Sequence, residues 1–483
     1  MSPEEIIGWA PVLAVVCAVL LMVWATAKTV RYVRADRETR RSIRQAVKIK
    51  MTWGRLAKMA GLSVTDRTPP WLSYFNISTD APEPKPRELV PVIKTRPDRY
   101  GVIVHVKLLP GVGIKELQDK ARFLADAWGC VRVAVEAGKP GHAVLRAIRL
   151  DPLTGHTQYV PTGEPPADLM VWPVGRDEYG ALVHIELKNK SGAVVAGGVG
   201  GGKSNQLSAL ITYFGPSPAV QFVLFDGKVS DAAHGDYADV LPRVFAHAGN
   251  DLHEANALLR RLVKLLHDRA TMARRVLGTA NMWNVGPSEQ WPLVFVVIDE
   301  SHTFFHDHKG SDKETRALAA LAAENIRLTG LLVKGGRSVG IFTVPATQKA
   351  TGDAIPTSIR DVCSAALSFY QRTTEASVAA LGDDIRNWPD MDPINLQGSQ
   401  YVGVASMAAE GRPGFVRVRT PYLDPANAAA VANATAHLTQ DPTVLLAKLT
   451  PPSLHKAESP EDDAPPQPEP PASQPLPTPQ ERR

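Results

Sequence analysis

Cysteine is scarce in this chain: three in 483 residues, at positions 17, 130 and 363. Cys17 sits in an apolar run, and Cys130 and Cys363 lie far apart among apolar neighbours. That rules against a disulfide framework and against a cysteine zinc site, as suits a body kept in a reducing compartment. Metal-type histidine spacing is missing too. His302, His306 and His308 crowd together, but no acidic or cysteine partner stands at a ligand spacing, so they are expected to cap and solvate a helix. Only one uncharged run has the length of a bilayer span, Ile6 to Ala27. No basic segment precedes it and no small-residue cleavage site ends it, which argues against a removed signal peptide and for a retained anchor over residues 1–27, with the span at about 6–27.

Strong net charge is also absent from most of the chain. Between Lys28 and Lys58, eleven basic residues face only Asp36 and Glu38, a net +9 that exceeds the +5 of the whole chain and leaves the remainder near −4. Only Glu4 and Glu5 flank the apolar run on its other side. The asymmetry predicts an N-terminus outside and a cytoplasmic body at the inner (plasma) membrane, held by a single pass. Basicity of this kind fits an anionic lipid surface as naturally as nucleic acid.

The most informative segment is Gly197-Gly198-Val199-Gly200-Gly201-Gly202-Lys203-Ser204, which fits G-x-x-x-x-G-K-[ST] and follows the strand-like Gly192 to Ala196. Glycines let backbone N–H groups approach phosphate oxygens where a strand turns into a helix. Gly197 to Gly202 would cradle a triphosphate, Lys203 would neutralise its β- and γ-phosphates, and the Ser204 hydroxyl would hold Mg²⁺. About a hundred residues on, Pro292 to Ile298 is an unbroken apolar run ending in Asp299-Glu300, as a buried parallel strand with its tip in a site would read. Asp299 would organise Mg²⁺, and Glu300 would deprotonate the water that attacks the γ-phosphate.

Periodicity divides the rest. Residues 28–62 read as a basic juxtamembrane helix and stalk, and 63–99, rich in Pro, Asp and Thr, as a linker. Residues 100–168 read as a small α+β subdomain, and 169–423 alternate apolar strands with amphipathic helices in the manner of a RecA-like P-loop ATPase domain of the α/β class. Residues 424–450 form a helical segment, and 451–483 a disordered Pro-rich tail.

The order and spacing of several motifs resemble the FtsK/SpoIIIE family of membrane-tethered double-stranded DNA pumps. The loop line Val194 to Asn205 is similar to that family's, including the Asn after Ser; Phe225-Asp226-Gly227-Lys228 resembles its Asp-Pro-Lys turn. Gly336-Arg337-Ser338-Val339-Gly340-Ile341, Ala346-Thr347-Gln348 and Leu381-Gly382 are similar to further motifs of the family, over residues 170 to 420. Among its members the chain most resembles single-anchor transfer proteins of actinobacterial conjugative plasmids and integrative elements. The resemblance implies ATP and Mg²⁺ as cofactors, Asn205 within the nucleotide-binding loop, and a homo-hexamer acting on double-stranded DNA, with conjugation proteins as further partners. It also implies that Gln348 reports the state of the γ-phosphate. Asp226 and Lys228 could brace the site or form an exposed turn. Ala365-Ala366-Leu367-Ser368-Phe369 lacks the family's arginine, so the arginine acting on a neighbour's nucleotide must be another residue, Arg360 first and Arg337 second. No multi-span membrane domain is expected in this sequence, and Asp424 to Leu449 reads as too short for the winged-helix module with which chromosome pumps of the family usually end. The expected function is a membrane-anchored ATP-driven duplex DNA motor in conjugative transfer. The alternatives are a coupling or secretion ATPase moving single strands or protein, and an ATP-binding scaffold.

Overall fold

The computed structural model describes residues 29–66 and 86–449, apart from positions 156, 349, 353, 410, 412 and 413, together with scattered positions between 15 and 27. The expected anchor lies largely outside the described residues and the expected tail wholly outside them. Among the described residues no helix is long and apolar enough to cross a membrane.

An amino-terminal body begins with helix α1 (Arg37–Met59), whose first turn is capped by the Asp36 carboxylate accepting from the backbone N–H of Glu38 and Thr39. Ala46, Ile49, Trp53 and Ala57 recur every three or four residues and are buried, while Arg44, Lys48 and Arg55 stay exposed. The buried stripe packs on an antiparallel sheet made of β1 (Val92–Pro97), β2 (Gly101–Lys107), β3 (Arg132–Ala137) and β4 (His142–Ile148), in the order β1-β2-β4-β3. Two short helices, α2 (Ile114–Asp119) and α3 (Ala121–Trp128), fill the connection between β2 and β3. Trp53 sits at the centre, its Nε1 donating to the Pro91 carbonyl at 2.6 Å and its ring 6.1 Å from that of Trp128.

Two differences from the sequence reading follow. The basic helix is not a free stalk, because its apolar stripe is one wall of this core. The stretch 63–99, expected to be a linker, supplies ordered strands: Val64–Asp66 pairs with Arg87–Leu89, and β1 is the sheet edge. The alternation of exposed and half-buried positions in Val92-Ile93-Lys94-Thr95-Arg96-Pro97 was masked by the polar, Pro-rich sequence before it.

The second body is a ten-stranded sheet. Its strands are β5 (Val171–Asp177), β6 (Leu182–Glu186), β7 (Ala193–Ala196), β8 (Val220–Asp226), β9 (Val244–Ala248), β10 (Leu293–Asp299), β11 (Ile341–Thr347), β12 (Ala365–Ser368), β13 (Val404–Ala408) and β14 (Phe415–Arg419). Their spatial order is β9-β8-β10-β11-β7-β12-β13-β14-β5-β6. The first six run parallel and the last four join antiparallel. Every residue of β8, β10 and β11 is buried, as parallel strands covered on both faces require. Helices α4 (Lys203–Phe214), α5 (Leu252–Leu277) and α6 (Lys313–Val339) link the parallel strands, and Phe214, Phe222 and Phe295 stack in the core beneath them. Gly336 lets α6 reach the sheet: a Cβ there would overlap the Ile341 carbonyl oxygen. Short helices Pro425–Thr435 and Pro442–Lys448 follow the sheet.

The two bodies meet at the β5–β6 turn. The Arg132 guanidinium binds Asp151 at 2.8 and 3.1 Å and the Glu178 carbonyl at 2.9 Å. Gly180, at φ +78, packs under the Tyr100 ring, where a side chain would collide.

Candidate functional site

The parallel half of the sheet puts four strand tips side by side: β7 opening into the glycine run, β8 ending at Asp226, β10 at Asp299 and β11 at Thr347. Between β7 and α4 the chain takes backbone angles closed to most side chains, with φ +74 at Gly200 and +111 at Gly202. The Gly198 N–H donates to the Tyr370 carbonyl and the Gly201 N–H to Gly198, at 2.9 and 3.1 Å, so the loop is pinned before the helix starts. A cavity of about 410 Å³ opens above it, lined by Gly198 to Ser204 and by Lys228, Asp236, Gln348 and Leu423. Helix α4 points its N-terminus into this space, where its free N–H groups and dipole favour an anion.

Asp299 is the electrostatic centre. It is fully buried and paired with Lys203 through Oδ1 and with Lys228 through Oδ2 at 2.9 Å; Oδ2 also accepts from the Tyr237 hydroxyl at 2.7 Å, and Oδ1 from the Glu300 N–H at 2.9 Å. Burial alone would raise its pKa, but the two ammonium groups outweigh it and hold the carboxyl down at about 2. Burial opposes the charge of Lys228 as well, yet Asp299 and Asp236 keep its pKa above the ordinary lysine value. Tyr237 is raised far above an ordinary phenol by burial and by the adjacent Asp299 charge, so its hydroxyl acts as a donor. Asp226 stands in register with Asp299 on the neighbouring strand. Burial pushes its pKa up, the Lys228 N–H at 3.1 Å from Oδ1 offsets part of that, and Oδ2 has no hydrogen-bond partner.

Glu300 follows with φ 50 and ψ 53, one of two non-glycine residues with positive φ among those described. Such a conformation costs on the order of 1–3 kcal/mol and persists where the surroundings enforce it. Its Oε1 lies 3.4 Å from the Thr347 hydroxyl, and its Oε2 is buried without a hydrogen-bond partner. Gln348 follows Thr347 at the cavity wall.

Gly198 to Gly202, Lys203, Ser204 and Gln348 thus line one space, Asp299 joins it beneath the surface through its pair with Lys203, and Gly197 and Glu300 are not among the lining residues. Asn205 lines the cavity too, and its amide ties α4 to the chain after β14, donating to the Leu423 carbonyl at 2.7 Å and accepting from the Leu423 N–H at 3.1 Å. Arg360 does not line the cavity; its guanidinium binds Asp361 at 2.8 Å and the Ala379 carbonyl at 3.4 Å. The backbone of Arg337 accepts from Trp283 Nε1 at 2.6 Å. The rings of His302, His306 and His308 neighbour one another at 4.7 and 5.4 Å, and among the described residues no group of three or more His, Cys, Asp or Glu stands close enough to hold a metal ion. Asp236 and Tyr237 were missed in the sequence, since they arrive in a stretch of short 3-10 turns with no periodicity. Their one signal was an acid and a phenol within about ten residues of the Asp226 strand tip.

The fold and this site define the class: an α/β sheet whose parallel half carries a P-loop, the arrangement that binds nucleotide phosphates. Residues 39–149 match the family described as the actinomycete conjugal transfer protein N-terminal domain. The DNA translocases FtsK of two Leptospira interrogans strains are each 26% identical over 294 residues, covering 56% of this chain and 29% of theirs. The chain therefore spans under a third of the length of the curated relatives it matches. Among solved structures it is similar to the monomer form of the pCW3 conjugation coupling protein TcpA with ATPγS (TM-score 0.47, 18% identity, 75% of this chain and 94% of that one). It is also similar to the cytoplasmic domain of the Thermomonospora curvata Type VII secretion ATPase EccC (TM-score 0.43, 20% identity, 61% and 34%). By these comparisons the chain is similar to actinomycete conjugal transfer proteins over residues 39–149 and to FtsK translocases over 56% of its length.

Proposed function

We propose that the protein is a membrane-anchored motor that spends ATP to move double-stranded DNA in conjugative transfer. The observation that carries this reading is the glycine loop with Lys203 and Ser204 lining one cavity, Lys203 paired there with the buried Asp299 that precedes Glu300, in a chain similar to DNA translocases. Lys203 exchanges Asp299 for the β- and γ-phosphates when ATP enters, and the loop N–H groups take the phosphate oxygens. A Mg²⁺ ion fits the donor set, because the Ser204 hydroxyl and the Asp299 and Asp236 carboxylates are all hard oxygens; bound there, it supplies charge neutralisation of the phosphates. Glu300, with a free buried oxygen, orients the attacking water and takes its proton, and Gln348 senses the γ-phosphate. The neighbouring subunit of a homo-hexamer completes the site with an arginine, Arg360 before Arg337. The run at 6–27 and the basic residues after it anchor the ring at the inner membrane with the ATPase body in the cytoplasm.

The test is ATP hydrolysis by the full chain in detergent with duplex DNA, single-stranded DNA or none. Stimulation by duplex is the expected result. Preference for single strands would point to a coupling or secretion ATPase, and absence of hydrolysis to a scaffold.

A further inference from the structure

Lys228 stands where a cation is needed. Its Nζ lies 3.2 Å from Ser204 Oγ, 2.9 Å from Asp236 Oδ2 and 2.9 Å from Asp299 Oδ2, while the Ser204 hydroxyl donates to the same Asp236 oxygen at 3.2 Å. These oxygens come from the first turn of α4, the tip of β10 and the turns that follow β8, three segments far apart in sequence that meet at this point. A hydroxyl with two carboxylates is a set a hard divalent cation takes, at about 2.0–2.1 Å for Mg²⁺. An ammonium holds the same oxygens at hydrogen-bond length, about an ångström further out. Two positive charges cannot share the point.

We propose that Lys228 occupies the divalent-cation position of the nucleotide site as a built-in counter-ion, that metal with nucleotide displaces it, and that Asp236 then serves as an acidic metal ligand beside Ser204 and Asp299. The inference rests on reading the cavity as a metal–nucleotide site. Two features allow the exchange. The Lys228 side chain is 22% exposed and Asp236 55% exposed, so the ammonium has a way out to solvent. The Lys228 backbone is tethered separately, its N–H held by Asp226 Oδ1 at 3.1 Å, so the side chain can leave without unravelling the turn. The cluster of Lys203, Lys228, Asp299 and Asp236 is balanced in charge, so the site is satisfied before any ligand arrives. Metal binding is therefore a competition with Lys228.

The test uses the full chain in detergent with a fluorescent non-hydrolysable ATP analogue, titrated with Mg²⁺, and a parallel titration of Mn²⁺ without nucleotide followed by electron paramagnetic resonance. Lys228→Met is expected to lower the Mg²⁺ midpoint about tenfold, the scale of one charge-assisted contact removed from a competition, and to tighten Mn²⁺ binding. Lys228→Arg keeps the competing charge and the wild-type midpoint within a factor of about two. Asp236→Asn, at an exposed position that the fold tolerates, should raise the midpoint and weaken Mn²⁺ binding. An unchanged midpoint in Lys228→Met or in Asp236→Asn overturns the proposal. So does weaker analogue binding by Lys228→Met at saturating Mg²⁺, which would assign the lysine to the phosphates. If the wild-type chain binds no analogue at any Mg²⁺ concentration, the nucleotide reading fails, and the Mn²⁺ titrations still decide whether Lys228 and Asp236 define a cation position.

Discussion

At the scale of single residues, Asp299 organises the site: one buried carboxylate answers two lysines, a phenol and the following backbone N–H. Lys203→Ala should abolish nucleotide binding or turnover, because the ammonium expected on the β,γ-phosphates is lost; retained analogue binding with wild-type turnover would contradict that role. Glu300→Gln should bind ATP and stall, with turnover down about 10²–10⁴-fold, the usual worth of a general base. Hydrolysis at the wild-type rate would remove Glu300 from that role. The pH dependence carries a definite sign. The Asp299 pKa is depressed from 3.8 to about 2, so its ion pairs stabilise the fold fully above the unfolded value and that contribution is lost as pH falls through about 2. Asp299→Asn should thus lower stability at neutral pH and flatten the loss between about pH 4 and about pH 2 in acid-unfolding curves. An unchanged slope there would deny the pairing. The glycines, Lys203, Ser204 and the Asp299-Glu300 pair could be read from sequence because each is tied to a local pattern, a strand running into a turn. Asp236 and Tyr237 could not. Their place depends on how irregular turns fold back over the β8 tip, and no periodicity records that.

At the scale of elements, strands buried on both faces announced themselves as unbroken apolar runs, and β10 is the clearest. Helix α1 shows the opposite case. Its net basic charge suggested a solvated stalk, while the sparse stripe of Ala46, Ile49, Trp53 and Ala57 makes it part of a core. Amphipathic helices whose buried side mixes small and polar residues with only a few large apolar ones are easily outvoted by their charges. Trp53→Ala should cost about 3–5 kcal/mol, the range for emptying a buried aromatic site, read as a shift in urea or thermal unfolding of the amino-terminal body. A change under about 1 kcal/mol would place the helix outside the cooperative unit. By the same argument a fragment starting at residue 65 lacks one wall of that core, so fragments meant to fold should retain α1. The edge strand β1 was hidden because Pro, Asp and Thr in the preceding stretch dominate a window that also contains a short alternation.

At the scale of the whole molecule, charge is concentrated beside the apolar run, a net +9 between Lys28 and Lys58, and the rest is near neutral. Duplex binding by such a body requires assembly, since a ring multiplies a few Lys and Arg from each subunit around one channel. Binding to duplexes of unrelated sequence should be equally tight and should fall roughly a thousandfold between about 50 and 200 mM salt if about six phosphates are neutralised. Salt-insensitive binding, or binding confined to single strands, would remove the duplex reading. The central claim, that hydrolysis at this site drives motion along duplex DNA, is tested most directly by triplex displacement: a third strand annealed to a long duplex is released only when a motor runs through it. The full chain in detergent should release the third strand with ATP and fail with a non-hydrolysable analogue or as Glu300→Gln. Rapid ATP hydrolysis by the wild-type chain without strand release, or release independent of hydrolysis, would contradict it.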